Sequence, residues 1–265
     1  MNKISQLFKQ TGAFESSKDW SAADRQDTEV FFHHSQKAEC MMTACSSWYG
    51  GDFFEFGSHD LNTFRDFLTA YDICGMTRAY QDVQFWGFDI FGKLEEGVGE
   101  HALYFKPYSD QGDQLAHHQG LIEQHGLHVE KCRLVQGLFK NTLTQKLKEK
   151  WRNDKVAGVD YSEIAIHLPP EYRNSATRQI GFASLDCNIP SSYKTVFEWI
   201  FDAMAPNSYI YMDEGLQSPE VLGMWDTFRT ALYVKRNIGT VYIRNAAGFG
   251  SLWRLYPVVD AKLDL

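Results

Sequence analysis

Long apolar runs are missing from this sequence. None approaches the ~20 residues that a membrane-spanning helix needs, so no membrane partner is expected. Met1 to Gln10 lack the continuous apolar centre of a secretory signal, which leaves a cytoplasmic protein as the expectation. Positive charge is also short: 26 Lys and Arg stand against 34 Asp and Glu, a net charge of −8. A nucleic-acid groove or an anionic membrane surface is therefore not an expected partner. Cysteine is sparse, odd in number and scattered: Cys40, Cys45, Cys74, Cys132 and Cys187. That pattern argues for reduced, buried thiols over a disulfide framework. His33 and His34 precede Cys40 and Cys45, but no C-x-x-C pair completes a zinc site. Internal repeats and low-complexity tracts are absent too.

What is present is a globular composition. The 265 residues are 44% hydrophobic and 23% charged, enough for one domain with a sizeable core. The most informative stretch is Gly50-Gly51-Asp52-Phe53-Phe54-Glu55-Phe56-Gly57-Ser58-His59. Its aromatic run is too short for a globular helix and suits a buried strand. Glu55 closes the strand, Gly57 opens a turn, and Ser58 or Asp60 can cap the helix that follows. Leu61, Phe64, Leu68 and Tyr71 give that helix one apolar stripe. Then comes Phe85-Trp86-Gly87-Phe88-Asp89-Ile90-Phe91, a second strand ending in an acid. Strand, glycine turn, helix and acid-tipped strand form a nucleotide-binding half of a doubly wound sheet, or else a plain α/β core with a tight turn. The missing further glycines argue against a dinucleotide, whose pyrophosphate needs close backbone approach.

The rest of the chain continues the alternation. Residues 1–48 are polar and mixed, an N-terminal extension that either folds over the ligand cleft or serves as an appendage or oligomer contact. A homodimer through it is one expectation. Residues 49–265 form the main domain. A helix is expected over Gln114 to His125, closed by Gly126, then a strand over Lys131 to Val135 and a helix from Leu138 to Trp151. Breakers at Gly158, Pro169-Pro170 and Asn174-Ser175 mark 152–178 as an insertion. A strand at Ile180 to Leu185 ends at Asp186, with Ser191 or Ser192 capping the next helix. A turn at Pro206-Asn207 leads to a strand from Ser208 to Met212, which ends at Asp213-Glu214. A helix starts at Pro219, and an antiparallel hairpin over 240–244 and 252–256 completes the chain. The expected fold is α/β, a Rossmann-like seven-stranded, mostly parallel sheet with an antiparallel edge strand and helices on both faces.

Four of these strands end in acids: Glu55, Asp89, Asp186, and Asp213 with Glu214. Open α/β sheets bind ligands at that end of their strands. Acids gathered there repel one another unless a cation joins them, and an oxygen-only ligand set suits Mg²⁺ or Mn²⁺. Each acid alone could instead be a helix N-cap.

The motifs Phe54-Glu55-Phe56-Gly57, Trp86-Gly87-Phe88-Asp89-Ile90-Phe91, Leu134-Val135-Gln136-Gly137-Leu138-Phe139, Ser184-Leu185-Asp186-Cys187-Asn188 and Tyr211-Met212-Asp213-Glu214 resemble the class I S-adenosylmethionine-dependent methyltransferases. More narrowly they resemble the macrocin O-methyltransferase family, over about residues 50 to 230. The resemblance implies S-adenosylmethionine as cofactor and metal-dependent O-methylation of a sugar-like or polyol small molecule. It implies that Glu55, Gly57 and Ser58 line the methionine end, that Asp89 holds the ribose, and that Gln136 and Gly137 border the adenine. Asp186, Asp213 and Glu214 match the family's acids for Mg²⁺ or Mn²⁺. Where that family carries a further acid or a histidine as base, this chain has Asn188 and Ile189. His59 is the candidate replacement, with a core or capping histidine as the other reading. The departure keeps a second function open, a methyltransferase-like protein that binds a cofactor or partner without catalysis. A third is methylation of nitrogen or of a protein chain.

Overall fold

Seven strands make one sheet: β1 (Asp52–Phe56), β2 (Phe85–Asp89), β3 (Cys132–Gln136), β4 (Ile180–Leu185), β5 (Met204–Met212), β6 (Ile238–Ala246) and β7 (Gly250–Pro257). The computed structural model describes residues 37, 39–45, 51–74, 83–92, 114–154, 178–187, 189–213, 218–246 and 250–258. The helices are α1 (Asn62–Ile73), α2 (Gln114–His125), α3 (Phe139–Thr142), α4 (Gln145–Asn153), α5 (Pro190–Ile200) and α6 (Pro219–Arg236). Residues 39–45 are helical as well.

The strand order is β3-β2-β1-β4-β5-β7-β6. Strands β1 to β5 pair in parallel, and β7 runs antiparallel to both β5 and β6. This is the expected Rossmann-like sheet with the hairpin at one edge. The hairpin places β7 inside, where Leu252 and Leu255 are buried, and β6 outside, where Val241, Tyr242 and Ile243 are exposed. The order reverses between β1 and β4, which opens a crevice at the carboxyl ends of those two strands.

Side chains alternate across the sheet, so the buried strands feed two cores. Phe54, Phe56, Trp86, Phe88, Ala183, Leu185, Ile210 and Met212 pack on one face with Trp151, Trp199, Trp225 and Phe228. Phe53, Phe85, Phe182, Tyr209, Tyr211 and Leu252 pack on the other with Phe64, Phe67 and Tyr71 of α1 and with Cys40, Met41, Ala44 and Cys45. Phe53 and Phe67 stack with ring centroids 3.9 Å apart. Glu55, two residues on from Phe53, faces this second core. So do Ser184 and Tyr211, its register partners along β4 and β5.

Local expectations needed four adjustments. The single helix over Leu138 to Trp151 is two, α3 and α4, because Thr144 is an N-cap whose side chain accepts the Leu147 N–H at 3.1 Å. Helix α5 is opened by Ile189 and Pro190 without a side-chain cap, so neither Ser191 nor Ser192 has that role. Before α1 the N-cap is Leu61, in the left-handed region at φ 62. Asp60 still contributes by accepting the Asn62 N–H at 3.2 Å. Pro206-Asn207 lies inside the longer β5, where Asn207 takes φ 63 and the pairing with β4 shifts register. All five cysteines are free; Cys40, Cys45 and Cys187 are buried. Among the described residues no helix is long and apolar enough to cross a membrane. His33, His34, residues 155–177 of the expected insertion, Asn188 and Glu214 lie outside the described residues.

Candidate functional site

Backbone hydrogen bonds carry the sheet past its formal strand ends and bring the acid-bearing turns together. Gly57 N–H donates to Phe88 O at 2.8 Å, Asp186 N–H to Phe56 O at 2.9 Å, and Asp213 N–H to Leu185 O at 2.9 Å. Gly57 has φ +91, and a Cβ there would stand 2.0 Å from the carbonyl oxygen of Asp186. Only glycine lets the β1 turn pass so close to the β4 turn. Gly57 therefore also holds the two sides of the crevice together.

On the β2 side, Asp89 fastens two turns. Its Oδ2 accepts the His59 N–H at 2.9 Å and its Oδ1 accepts the Phe91 N–H at 3.1 Å. Its carbonyl accepts the Gly137 N–H at 2.8 Å. Gln136 Nε2 donates to Phe91 O at 3.2 Å, so Gln136 and Gly137 lie at the same turn as Asp89. His59 has φ 37 and a half-exposed ring, with Nδ1 3.7 Å from Asp60 Oδ1. Asp60 holds the His59 imidazole above its ordinary pKa. Asp89 and Asp186 add weaker attractions of the same sign, so the ring stands within electrostatic reach of the crevice acids.

Glu55 is 1% exposed. Neither of its side-chain oxygens has a hydrogen-bond partner among the described residues, and Ser184 Oγ, its neighbour in register on β4, has none either. Ser58 Oγ points to the Glu55 backbone carbonyl, at 3.4 Å. Burial, and then the charge of Asp186, push the Glu55 carboxyl well above its ordinary pKa, against weaker opposing pulls from the Ser58 side chain and the Lys37 charge. A buried carboxyl without a partner costs about 1–3 kcal/mol, so two adjacent orphaned polar groups at the β1–β4 crevice mark a place built for a polar ligand.

Asp186 and Asp213 meet at one side chain, that of Lys37. Its Nζ lies 3.3 Å from Asp186 Oδ2 and 3.0 Å from Asp213 Oδ1. Burial alone would lower the Lys37 pKa, but the two carboxylates overcome it and hold the ammonium above its ordinary value. Tyr211 OH donates to Asp213 Oδ1 at 2.6 Å. Burial and Asp213 raise the phenol. Burial and Asp213 also raise the Asp186 carboxyl, against the pull of Lys37. Nearby, burial pushes the Asp66 carboxyl on α1 up to about 6.

The expected acids thus converge, and none of Glu55, Asp186 and Asp213 caps a helix, since Leu61, Ile189 and Ser218 hold those positions. For a nucleoside-type cofactor the fit is good: orphaned groups at the crevice, Asp89 at the adjacent strand end, and glycines at both turns. For a divalent metal the described residues do not fit as they stand; Glu214, the third expected acid, lies outside them. The ammonium of Lys37 takes one oxygen of Asp186 and one of Asp213 and stands between the two carboxylates, and no group of three His, Cys, Asp or Glu among the described residues could hold an ion.

Lys37, Tyr211 and Ser184 were not legible as site residues. A lysine in a polar stretch reads as a solvated charge, and nothing local distinguishes Lys37 from its neighbours. Asp52 was also missed. It sits at the opposite end of β1, held by Arg178 Nε at 2.7 Å and Nη2 at 2.8 Å, Trp151 Nε1 at 2.5 Å and the Gln84 N–H at 2.9 Å. An acid at the head of a fully buried strand does call for such a partner.

No family model matches the chain, and no curated protein sequence matches it. Solved structures do. The O-methyltransferase NovP superposes with a TM-score of 0.56 at 15% identity, over 83% of this chain and 79% of that one. The calicheamicin methyltransferase CalS11 superposes at 0.52 and 15% identity, over 94% and 90%. The chain shares their fold. At such identity the likeness shows the fold alone.

Proposed function

We propose that the protein is an S-adenosylmethionine-dependent methyltransferase acting on a hydroxyl of a sugar-like or polyol small molecule. The orphaned, buried Glu55 carboxyl at the β1–β4 crevice is the observation that carries this reading. The methionine end of the cofactor, with its ammonium, gives that carboxyl the partner it lacks. Asp89 receives the ribose hydroxyls; each of its oxygens accepts one backbone N–H and has room for a further bond. Gln136 and Gly137 border the adenine. Bound there, the cofactor supplies an electrophilic methyl group. The chain's own part is to fix the acceptor hydroxyl in line with it beside Asp186 and Asp213, so positioning supplies much of the rate. The choice of oxygen over nitrogen rests on the motif resemblance to O-methyltransferases, and the shared fold with NovP and CalS11 is consistent with it.

Calorimetric titration with S-adenosylmethionine tests the reading. Saturable binding is expected, weakened in Asp89→Ala by about 1.5–3 kcal/mol, roughly ten- to hundredfold in Kd. No binding to the folded wild type would sink it. Binding without a methylated product across hydroxyl and amine acceptors would favour the non-catalytic reading. Ile189 gives that alternative its support, because an N-cap with an aliphatic side chain stands where a base would be needed.

A further inference from the structure

The strand-end acids lead to an expectation that the described geometry does not meet. Asp186 and Asp213 face each other across a position suited to a cation, and the cation there belongs to the chain. Lys37 approaches from the N-terminal side with its side chain 5% exposed. It bridges the two carboxylates at 3.3 and 3.0 Å and lies 5.9 Å from the centre of the Tyr211 ring. The segment that carries it is anchored. Cys40, Met41, Ala44 and Cys45 are buried in the core around Phe53, and Glu39 pairs with Arg244 on β6 at 2.6 Å. Lys37 is therefore held in place at both its backbone and its charged end. A hard divalent ion shared by the two acids needs the position between them that Lys37 occupies. An ammonium hydrogen-bonded to both of them blocks that position and repels the incoming charge.

We propose that Lys37 is the resident cation of the Asp186–Asp213 pair, closing this site to divalent metal and acting as the positioning residue that holds both carboxylates beside Glu55. Its role in the reaction rests on the methyltransferase reading, which then runs without added metal. Charge counting agrees with that role. Acidic groups outnumber the one ammonium here, Glu55, Asp186 and Asp213 against Lys37, a setting complementary to a sulfonium cofactor with a net positive charge.

Electron paramagnetic resonance of Mn²⁺ is the test, on the full chain, with Asp213→Asn, Lys37→Ala and Lys37→Arg as variants. The wild type is expected to leave Mn²⁺ free. Lys37→Ala should take the ion up about tenfold or more tightly, the equivalent of one decade in Kd. Adding Asp213→Asn to Lys37→Ala should abolish the gain, and Lys37→Arg should keep the site closed. Mn²⁺ uptake by the wild type that Asp213→Asn removes would overturn the proposal. So would a folded Lys37→Ala that binds Mn²⁺ no better than wild type. If Lys37→Ala does not fold, the wild-type and Asp213→Asn measurements still decide, together with Lys37→Arg. Calorimetry with S-adenosylmethionine on the same wild-type sample separates the two readings. Failure to bind the cofactor strikes the methyltransferase function, whereas the Mn²⁺ result judges Lys37 alone.

Discussion

Glu55 shows how a single side chain links function to stability. Its carboxyl has an ordinary pKa of 4.5, and burial with the neighbouring Asp186 raises it in the folded state. Below pH 4.5 the group is protonated in both folded and unfolded chains and costs nothing extra. Above it, the unfolded chain releases the proton while the folded chain keeps it, so stability falls as pH rises toward the folded-state pKa. Glu55→Gln removes that dependence. The variant should match wild type near pH 4 and gain about 1.4 kcal/mol over it for each pH unit above the ordinary value, until the folded-state pKa is passed. Denaturant unfolding at several pH values checks this, and a pH-independent difference would contradict it. The position of Glu55 could be read from the sequence because a strand end is a local pattern. Its lack of a hydrogen-bond partner among the described residues could not, since its neighbour in register, Ser184, is distant in the chain. Lys37 marks the limit of such reading: a buried lysine looks like any other until the carboxylates that hold it are known.

At the level of elements, the turn after β1 carries the constraint. Gly57 combines a positive φ with a backbone oxygen where its Cβ would be. Gly126, after α2, also has positive φ, +78, but nothing lies within 4 Å of its would-be Cβ. Comparing the two separates conformational strain from collision. Gly126→Ala should cost roughly 1–2 kcal/mol, the penalty of a left-handed L-residue. Gly57→Ala should cost about 3 kcal/mol or more, because the β1 and β4 turns must also move apart. Equal losses in urea unfolding would mean that the approach of Gly57 to Asp186 is loose. Most elements were legible because apolar periodicity and breakers are local. Strand β4 matches its expected bounds, and α2 ends at His125, closed by Gly126. The split of the expected 138–151 helix fell where a polar side chain did something its neighbours do not announce. Thr144 stops a helix in a run of good helix formers, with its carbonyl also accepting the Trp199 indole N–H at 3.1 Å. The place of β7 between β5 and β6 is likewise non-local. A hairpin says that two strands are neighbours, not which of them meets the sheet.

For the whole molecule, β1 has two differently built ends. At its start Asp52 is locked by Arg178, Trp151 and Gln84, a fully partnered cluster. At its finish Glu55 and Ser184 are left without partners among the described residues. The locked end stabilises the sheet and the open end is free to take a ligand. Removing Arg178 leaves the Asp52 charge buried and unpaired, so Arg178→Met should lower stability by about 3–5 kcal/mol. If the two ends are independent, cofactor affinity should not change. Saturation by S-adenosylmethionine at a hundred times its Kd adds about 2.7 kcal/mol to any chain that binds it only when folded. At ~2–4 °C per kcal/mol for a domain of this size, that is a rise in melting temperature of about 5–10 °C. Wild type and Arg178→Met should show the same gain from different starting points, read by thermal melting with and without cofactor. A smaller gain in the variant would mean that the Asp52 lock reaches through β1 to the crevice and helps hold Glu55 in place. The locked end would then belong to the site as well as to the fold.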